Sequence, residues 1–209
     1  ACAAVAYEGG IVLSTERMNR VIEIDEQNMV LVVEPGVRTV DVQKIATEKG
    51  YLYAGEPSSS DSSFIGGNVA TNAGGLKAVK YGTTRQQVLG LELVTPEGEI
   101  VTLGGKLKKD STGHSLTQLI VGSEGTLGVV TKVYLKMVPR SKHVIDLLAI
   151  FPSPELAINI VAKVMQSPIS PVCVEFMDNK GIRCSEEFLH EKLPHSENGY
   201  YIIISLDGN

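Results

Sequence analysis

The sequence predicts an α+β fold in two parts. Three observations carry this. Up to Pro139 the chain is built of short β-branched runs separated by turn signals. Beyond it, strand-like and helix-like segments alternate as β-α-β-α-β, the pattern of a ferredoxin-like α+β sandwich. Between the runs of the first part lie glycine clusters at 66–75 and 122–128 and a looser group at 98–105. A boundary is placed near 139–142, giving domains of 1–139 and 140–209, and no internal repeat of 20–50 residues is found.

Each element has a local reason. Ile11–Leu13, after Gly9-Gly10, is expected to be a short strand. Val21–Ile24 and Val30–Val33 flank the polar turn Asp25–Asn28 and read as a hairpin. Pro35-Gly36 ends it. Thr39 is the expected N-cap of a helix over Val40–Lys49, with Asp41 in its first turn, Val42, Ile45 and Ala46 on its apolar face and Gly50 as its stop. Residues 57–63 form a polar loop, and Phe64–Ala73 opens a short glycine-containing helix. Val88–Thr95 and Glu99–Leu103 make a second hairpin around Pro96-Glu97-Gly98. Leu116–Val121 is a short helix or turn, and Thr126–Val138 a long strand. In the second part, Val144–Phe151, Val172–Met177 and Tyr200–Leu206 are strands, and Pro154–Met165 and Lys180–His190 are helices. Leu156, Ile160, Val161 and Val164 recur at helical spacing.

Composition narrows the function. The chain has 209 residues, 43% hydrophobic and 21% charged, which suits a packed globular core rather than disorder. No apolar run approaches the roughly 20 residues of a membrane-spanning helix. A net charge of −5 with no Lys/Arg cluster disfavours nucleic acid as a partner. Cys2, Cys173 and Cys184 are few and scattered, as in a reducing compartment. The chain starts with Ala1, so processing or excision from something longer is expected.

Two stretches carry chemistry. In Pro57-Ser58-Ser59-Ser60-Asp61-Ser62-Ser63-Phe64-Ile65-Gly66-Gly67-Asn68, hydroxyls and a Gly-Gly pair precede a helix start. Hydroxyl donors, free N–H groups and close backbone approach suit a phosphate or pyrophosphate. A capped helix with a tight Gly-Gly packing contact explains the stretch equally well. It is neither G-x-G-x-x-G nor G-x-x-x-x-G-K-[ST]. In Gly122-Ser123-Glu124-Gly125-Thr126-Leu127-Gly128-Val129-Val130, glycines open a β-branched strand; spacing alone slightly favours a bulged turn over a ligand there. Lys80-Tyr81-Gly82 offers a ring for stacking but is a weak signal. His114, His143, His190 and His195 lack metal-ligand spacing, and no G-x-S-x-G nucleophile exists. Binding motifs without acid–base apparatus suit a protein whose chemistry is done by a cofactor.

Taken in order, "EPSSSDSSFIGGNVATNAGGLKAVKYG", "VLGLELVTPEGEIVTLG" and "LTQLIVGSEGTLGVVTKVYLKMVPR" resemble the FAD-linked oxidases of the vanillyl-alcohol-oxidase type (FAD-binding PCMH-type), in the branch of D-lactate dehydrogenases and the flavin subunit of glycolate oxidase. The match covers about residues 9–140, and 141–209, with "VEFMDNKGIR" and "IIISLDG", resembles the start of the family's substrate-side cap domain. The resemblance implies FAD as cofactor and hydride transfer from a small D-2-hydroxy acid to flavin N5, giving the 2-oxo acid. It implies an electron-transfer flavoprotein, quinone, cytochrome, iron–sulfur subunit or oxygen as acceptor. It places FAD contacts at Pro57, Ser58, Ser59, Ser63, Gly66, Gly67, Asn68, Thr71, Asn72 and Gly74, and at Glu124, Gly125, Thr126, Leu127, Gly128 and Val130. A cytoplasmic location is expected, with attachment to a membrane surface through a partner left open.

The family's earlier R-G-x-G-T-G loop is absent, Ala1–Gly10 resembles the sequence that follows it, and the family's later His-containing motifs are absent too. The resemblance therefore implies an internal piece that is inactive alone. Lacking one pyrophosphate loop, it is expected to bind FAD more weakly by several kcal/mol, at about 1.5–3 kcal/mol per charged hydrogen bond. Alternatives are a non-catalytic flavin- or nucleotide-binding module, or an oxidase on the same scaffold acting on a sugar acid or an ether-lipid precursor.

Overall fold

The computed structural model describes residues 5–209, so Cys2 lies outside the described residues. The chain divides into two compact units, one running to Arg140 and one from Ser141 to Asn209.

In the first unit, β1 (Val21–Asp25) and β2 (Val30–Val33) form the expected antiparallel hairpin. The Asp25 carboxylate closes its turn by accepting from the backbone N–H (3.0 Å) and side-chain amide (2.9 Å) of Asn28. Next comes α1 (Thr39–Glu48), whose N-cap is Arg38, not Thr39. Thr39 stands inside the first turn and is fully buried, its hydroxyl bonded to Ser63 and Asn68. A long-range polar cluster has taken the group that a local cap would have used.

After β3 (Tyr51–Leu52) come three short helices, α2 (Ile65–Thr71), α3 (Ala78–Tyr81) and α4 (Thr84–Gln87). The second hairpin is β4 (Val88–Val94) with β5 (Ile100–Gly104). Following α5 (Leu116–Ile120), β6 (Val129–Lys136) starts three residues later than expected. Thr126 is held in a turn instead, its N–H (3.1 Å) and hydroxyl (2.6 Å) both donating to the Ser123 carbonyl. A two-residue strand, β7 (Val138–Pro139), pairs with β3.

The main sheet runs β1-β2-β6-β4-β5 with every neighbour antiparallel. Leu31, Val33, Leu91, Val133 and Leu135 line one face, fully buried against Val42 and Ala46 of α1 and Ile65 and Val69 of α2. Each such aliphatic side chain contributes about 1.5–3 kcal/mol by leaving water, which seats both helices on the sheet. Ile11–Leu13 is not a strand: the three side chains are 96%, 62% and 68% exposed. Three apolar residues make too short a ladder to hold an edge without a buried face.

The second unit is β8 (His143–Phe151), α6 (Pro154–Gln166), β9 (Cys173–Met177), α7 (Asn179–Leu189) and β10 (Tyr200–Gly208). The expected β-α-β-α-β order holds. Ser153 caps α6 through the N–H of Leu156, and Asp178 caps α7 through the N–H of Gly181. The sheet order is β8-β10-β9, with β10 antiparallel to both neighbours. Hence β8 and β9 are mutually parallel and β10 is inserted between them, a split β-α-β arrangement.

Candidate functional site

The loop 57–63 and α2 are held from beneath by Thr39. Its N–H donates to the Ser63 carbonyl (2.9 Å), its hydroxyl shares a hydrogen with Ser63 Oγ (2.8 Å), and Asn68 Nδ2 donates to that hydroxyl (2.7 Å). Asn68 is buried, so its side chain anchors the segment from inside. The free N–H groups expected at the start of α2 are partly taken. Ile65 and Gly66 donate to the carbonyls of Val37 (2.9 Å) and Pro35 (2.7 Å).

The two adjacent glycines therefore have different duties. A Cβ on Gly66 would lie 2.6 Å from Pro35 Cβ, whereas a Cβ on Gly67 would meet nothing within 4 Å. Gly66 is a packing residue; Gly67 leaves an open face. Ser58 and Ser59 are exposed, and among the described residues nothing bonds to their hydroxyls. Pro57 is buried, and the exposed Thr71 returns its hydroxyl to the Gly67 carbonyl (3.0 Å).

At its other end α2 meets the second glycine-rich stretch. Asn72 terminates the helix in a left-handed conformation (φ 50°), and its Oδ1 accepts from Thr83 Oγ1 (2.8 Å) and the N–H of Arg85 (2.9 Å). Gly122 and Glu124 donate their N–H groups to the carbonyls of Val69 (2.9 Å) and Ala70 (2.8 Å). The two segments singled out in the sequence are thus brought side by side. Thr126 closes the turn on the Ser123 carbonyl (2.6 Å). Gly125 faces open space, Gly128 packs on Leu93 and Val94 of β4, and Val130 pairs with Leu93. Leu127 is exposed.

Sequence reasoning missed three residues. Gly75 is the tightest: a Cβ there would fall 1.7 Å from the Glu56 carbonyl oxygen, and the Glu56 side chain in turn pairs with Lys77. Gly74, by contrast, has only Thr83 Cγ2 nearby, at 3.7 Å. Thr39 is the anchor described above. Arg85 joins distant loops through its guanidinium. A Gly-Gly pair signals close approach, but nothing in spacing says which glycine is pressed against backbone. The Tyr81 ring, suggested for stacking, has the Lys80 ammonium 5.4 Å from its centroid, a cation–π contact.

The sequence matches the family described as FAD binding domain over residues 2–104 and the family described as FAD linked oxidases, C-terminal domain, over residues 140–209. The chain belongs to the FAD-linked oxidases. It is 42% identical over 201 residues to glycolate oxidase subunit GlcD of Bacillus subtilis, covering 96% of this chain and 43% of that protein. It is 39% identical over 211 residues to D-lactate dehydrogenase of Anaerostipes hadrus, covering 99% of this chain and 44% of that protein. The chain therefore spans less than half the length of these relatives. Among solved structures, an alkyldihydroxyacetonephosphate synthase superposes with a TM-score of 0.76 at 25% identity, over 92% of this chain and 37% of that one.

FAD is the cofactor of the FAD-linked oxidases, and the residues present fit it. Gly67 and Gly125 present faces that a Cβ would fill, and Ser58 and Ser59 add unengaged hydroxyls. Such a set, rich in backbone and hydroxyl donors and free of bulk, suits phosphate oxygens and the edge of a flat ring. No helix among the described residues is long and apolar enough to cross a membrane.

Proposed function

We propose that this chain is the cofactor-holding part, residues 1–139, and the opening of the substrate-side domain, residues 140–209, of an enzyme that oxidises a small D-2-hydroxy acid to the 2-oxo acid. The observation that carries the cofactor half is the joining of the two glycine-rich segments through the N–H groups of Gly122 and Glu124. The substrate half is supported by the relatives, which are named for glycolate and D-lactate. FAD, when bound, supplies the two-electron acceptor at N5 for the hydride that leaves the substrate α-carbon.

The chain's own residues bind and orient. Ser58, Ser59 and the Gly67 backbone are the proposed donors toward the pyrophosphate. Glu124–Gly128 and Val130 form the proposed backbone wall beside the cofactor. Pro57, Ser63, Gly66, Asn68, Asn72 and Gly74 shape the loops that carry these groups, and Thr71 buttresses Gly67. The electrons are proposed to pass to an electron-transfer flavoprotein, a quinone or an iron–sulfur subunit.

The test has two parts. FAD titrated into the chain is expected to lose fluorescence on binding, and G67V to abolish that loss while the fold stays intact; G67V binding FAD like the parent sequence rejects this placement. In the complete enzyme, D-lactate or glycolate is expected to bleach the flavin without oxygen. Failure of both, and of 2-hydroxyglutarate, rejects the substrate class.

A further inference from the structure

We infer that Arg85 is a positioning residue that holds the two cofactor-facing segments in register; this rests on the placement of the cofactor proposed above. Arg85 lies in α4, away from either glycine-rich stretch in sequence, yet it bonds to both surroundings. Its backbone N–H donates to Oδ1 of Asn72, the residue that ends α2 (2.9 Å). Its Nη1 donates to the carbonyl of Gln118 (2.7 Å) and its Nη2 to that of Val121 (2.6 Å). Gln118 returns a bond from Nε2 to the Arg85 carbonyl (3.1 Å). One residue thus ties the end of α2 to the last turn of α5 and the residue before Gly122.

The bonds suit arginine and no other side chain. Two carbonyls three residues apart are reached by the two arms of one planar fork, whereas a lysine ammonium is a single point on a flexible stem. A positive group is also favoured beside the carbonyls that a helix leaves unpaired at its C-terminus. The approach needs a glycine: a Cβ on Gly122 would lie 3.0 Å from Nη2 and 3.3 Å from Asn72 Cβ, and its φ of 92° is one that L side chains rarely adopt. Once Val121 is fixed, the N–H groups of Gly122 and Glu124 fall on the carbonyls of Val69 and Ala70. Among the described residues no carboxylate pairs with the guanidinium, so its role is to bridge loops, and its charge stays beside the 122–125 backbone.

The experiment compares the chain with R85K, R85M and R85A by amide hydrogen exchange and FAD titration. In R85M and R85K, the Gly122 and Glu124 amides are expected to exchange about tenfold faster, the size of effect for losing a charge-assisted bond, while β2 and β6 amides keep their rates. FAD affinity is expected to fall by a similar factor, and millimolar guanidinium to restore protection in R85A. Unchanged exchange at Gly122 and Glu124, or a loosened segment with full FAD affinity, overturns the role of Arg85. If R85M unfolds throughout, R85K decides by the same readout. If the unsubstituted chain binds FAD too weakly to titrate, the same substitutions in the complete enzyme give the affinity, full affinity there overturns the role of Arg85, and the exchange data still decide whether Arg85 holds the segments together.

Discussion

The N–H of Glu124 donates to the carbonyl of Ala70 at 2.8 Å. Carbonyls in the last turn of a helix have no partner within it. In α2 that of Ala70 is met by Glu124, and that of Val69, which also accepts from the Asn72 N–H (3.3 Å), by Gly122, so the end of a seven-residue helix becomes the junction of two loops. Glu124 holds a left-handed conformation to make this bond. The junction is built from backbone, which makes it sensitive to glycine geometry.

Substitutions along the first glycine stretch are expected to separate by position. G75A should destabilise most, by about 3 kcal/mol, because a Cβ would sit 1.7 Å from the Glu56 carbonyl and backbone must move. G66A should cost about 1–3 kcal/mol against Pro35. G67A meets nothing within 4 Å and should leave stability nearly unchanged. Urea denaturation of the three variants checks the ranking, and equal costs would refute it.

Removing the anchor under the loop should cost stability with no change in size. T39V keeps the shape of the side chain but leaves Asn68 Nδ2 without its acceptor and Ser63 without its hydroxyl partner. A loss of about 1–3 kcal/mol is expected for a buried donor left unsatisfied. T39S should recover most of it. A T39V midpoint equal to the parent's would show the cluster to be dispensable.

Tyr53 offers a gain. Its phenol is buried, burial pushes its pKa above the usual tyrosine range, and among the described residues nothing bonds to its oxygen. Y53F removes that group with little change in packing and should stabilise the first unit by about 1 kcal/mol. A lowered thermal midpoint would mean that the hydroxyl has a partner.

The second unit should be acid-sensitive through Glu186. Its carboxylate is bonded to the Ser196 side chain, accepts from the Leu193 N–H (2.8 Å) and pairs with Lys192 (3.1 Å), and its pKa falls from the ordinary 4.5 to about 2. Because the folded value is the lower one, the stabilisation is complete above pH 4.5 and is lost as the pH falls toward 2. Lys192 is 85% exposed and contributes little; the Ser196 and Leu193 bonds dominate. E186Q should be less stable at neutral pH and flatter across that window. Exchange rates of β10 amides against pH provide the measurement, and parallel profiles for the two proteins would exclude Glu186.

Local chemistry made much of the fold legible. The hairpins around Asp25–Asn28 and Pro96–Gly98, the apolar face of α1 and the alternation after Pro139 all depend on neighbours within a few residues. What escaped depends on distant ones. Ile11–Leu13 had the composition of a strand but no ladder to join. Thr39 had the character of a cap, yet Ser63 and Asn68 claimed its hydroxyl. The pairing of Tyr51 with Pro139 joins residues far apart in the sequence of the first unit. Of the candidate site, the sequence showed which segments are glycine-rich. It did not show that they touch, nor that an arginine outside both ties their surroundings together.

The position of β10 in its sheet has a consequence for how the second unit comes into being. It lies between β8 and β9, yet it is the last of the three to leave the ribosome. The 48 residues between Phe151 and Tyr200 are made while β8 has no neighbour to zip to. Assembly of this sheet therefore cannot proceed step by step with synthesis; it waits for one late strand that completes both edges of its neighbours at once. During that interval the backbone N–H and C=O groups of β8 that β10 will pair with are open along a nine-residue edge, the moment at which this unit most needs shielding from pairing with other chains.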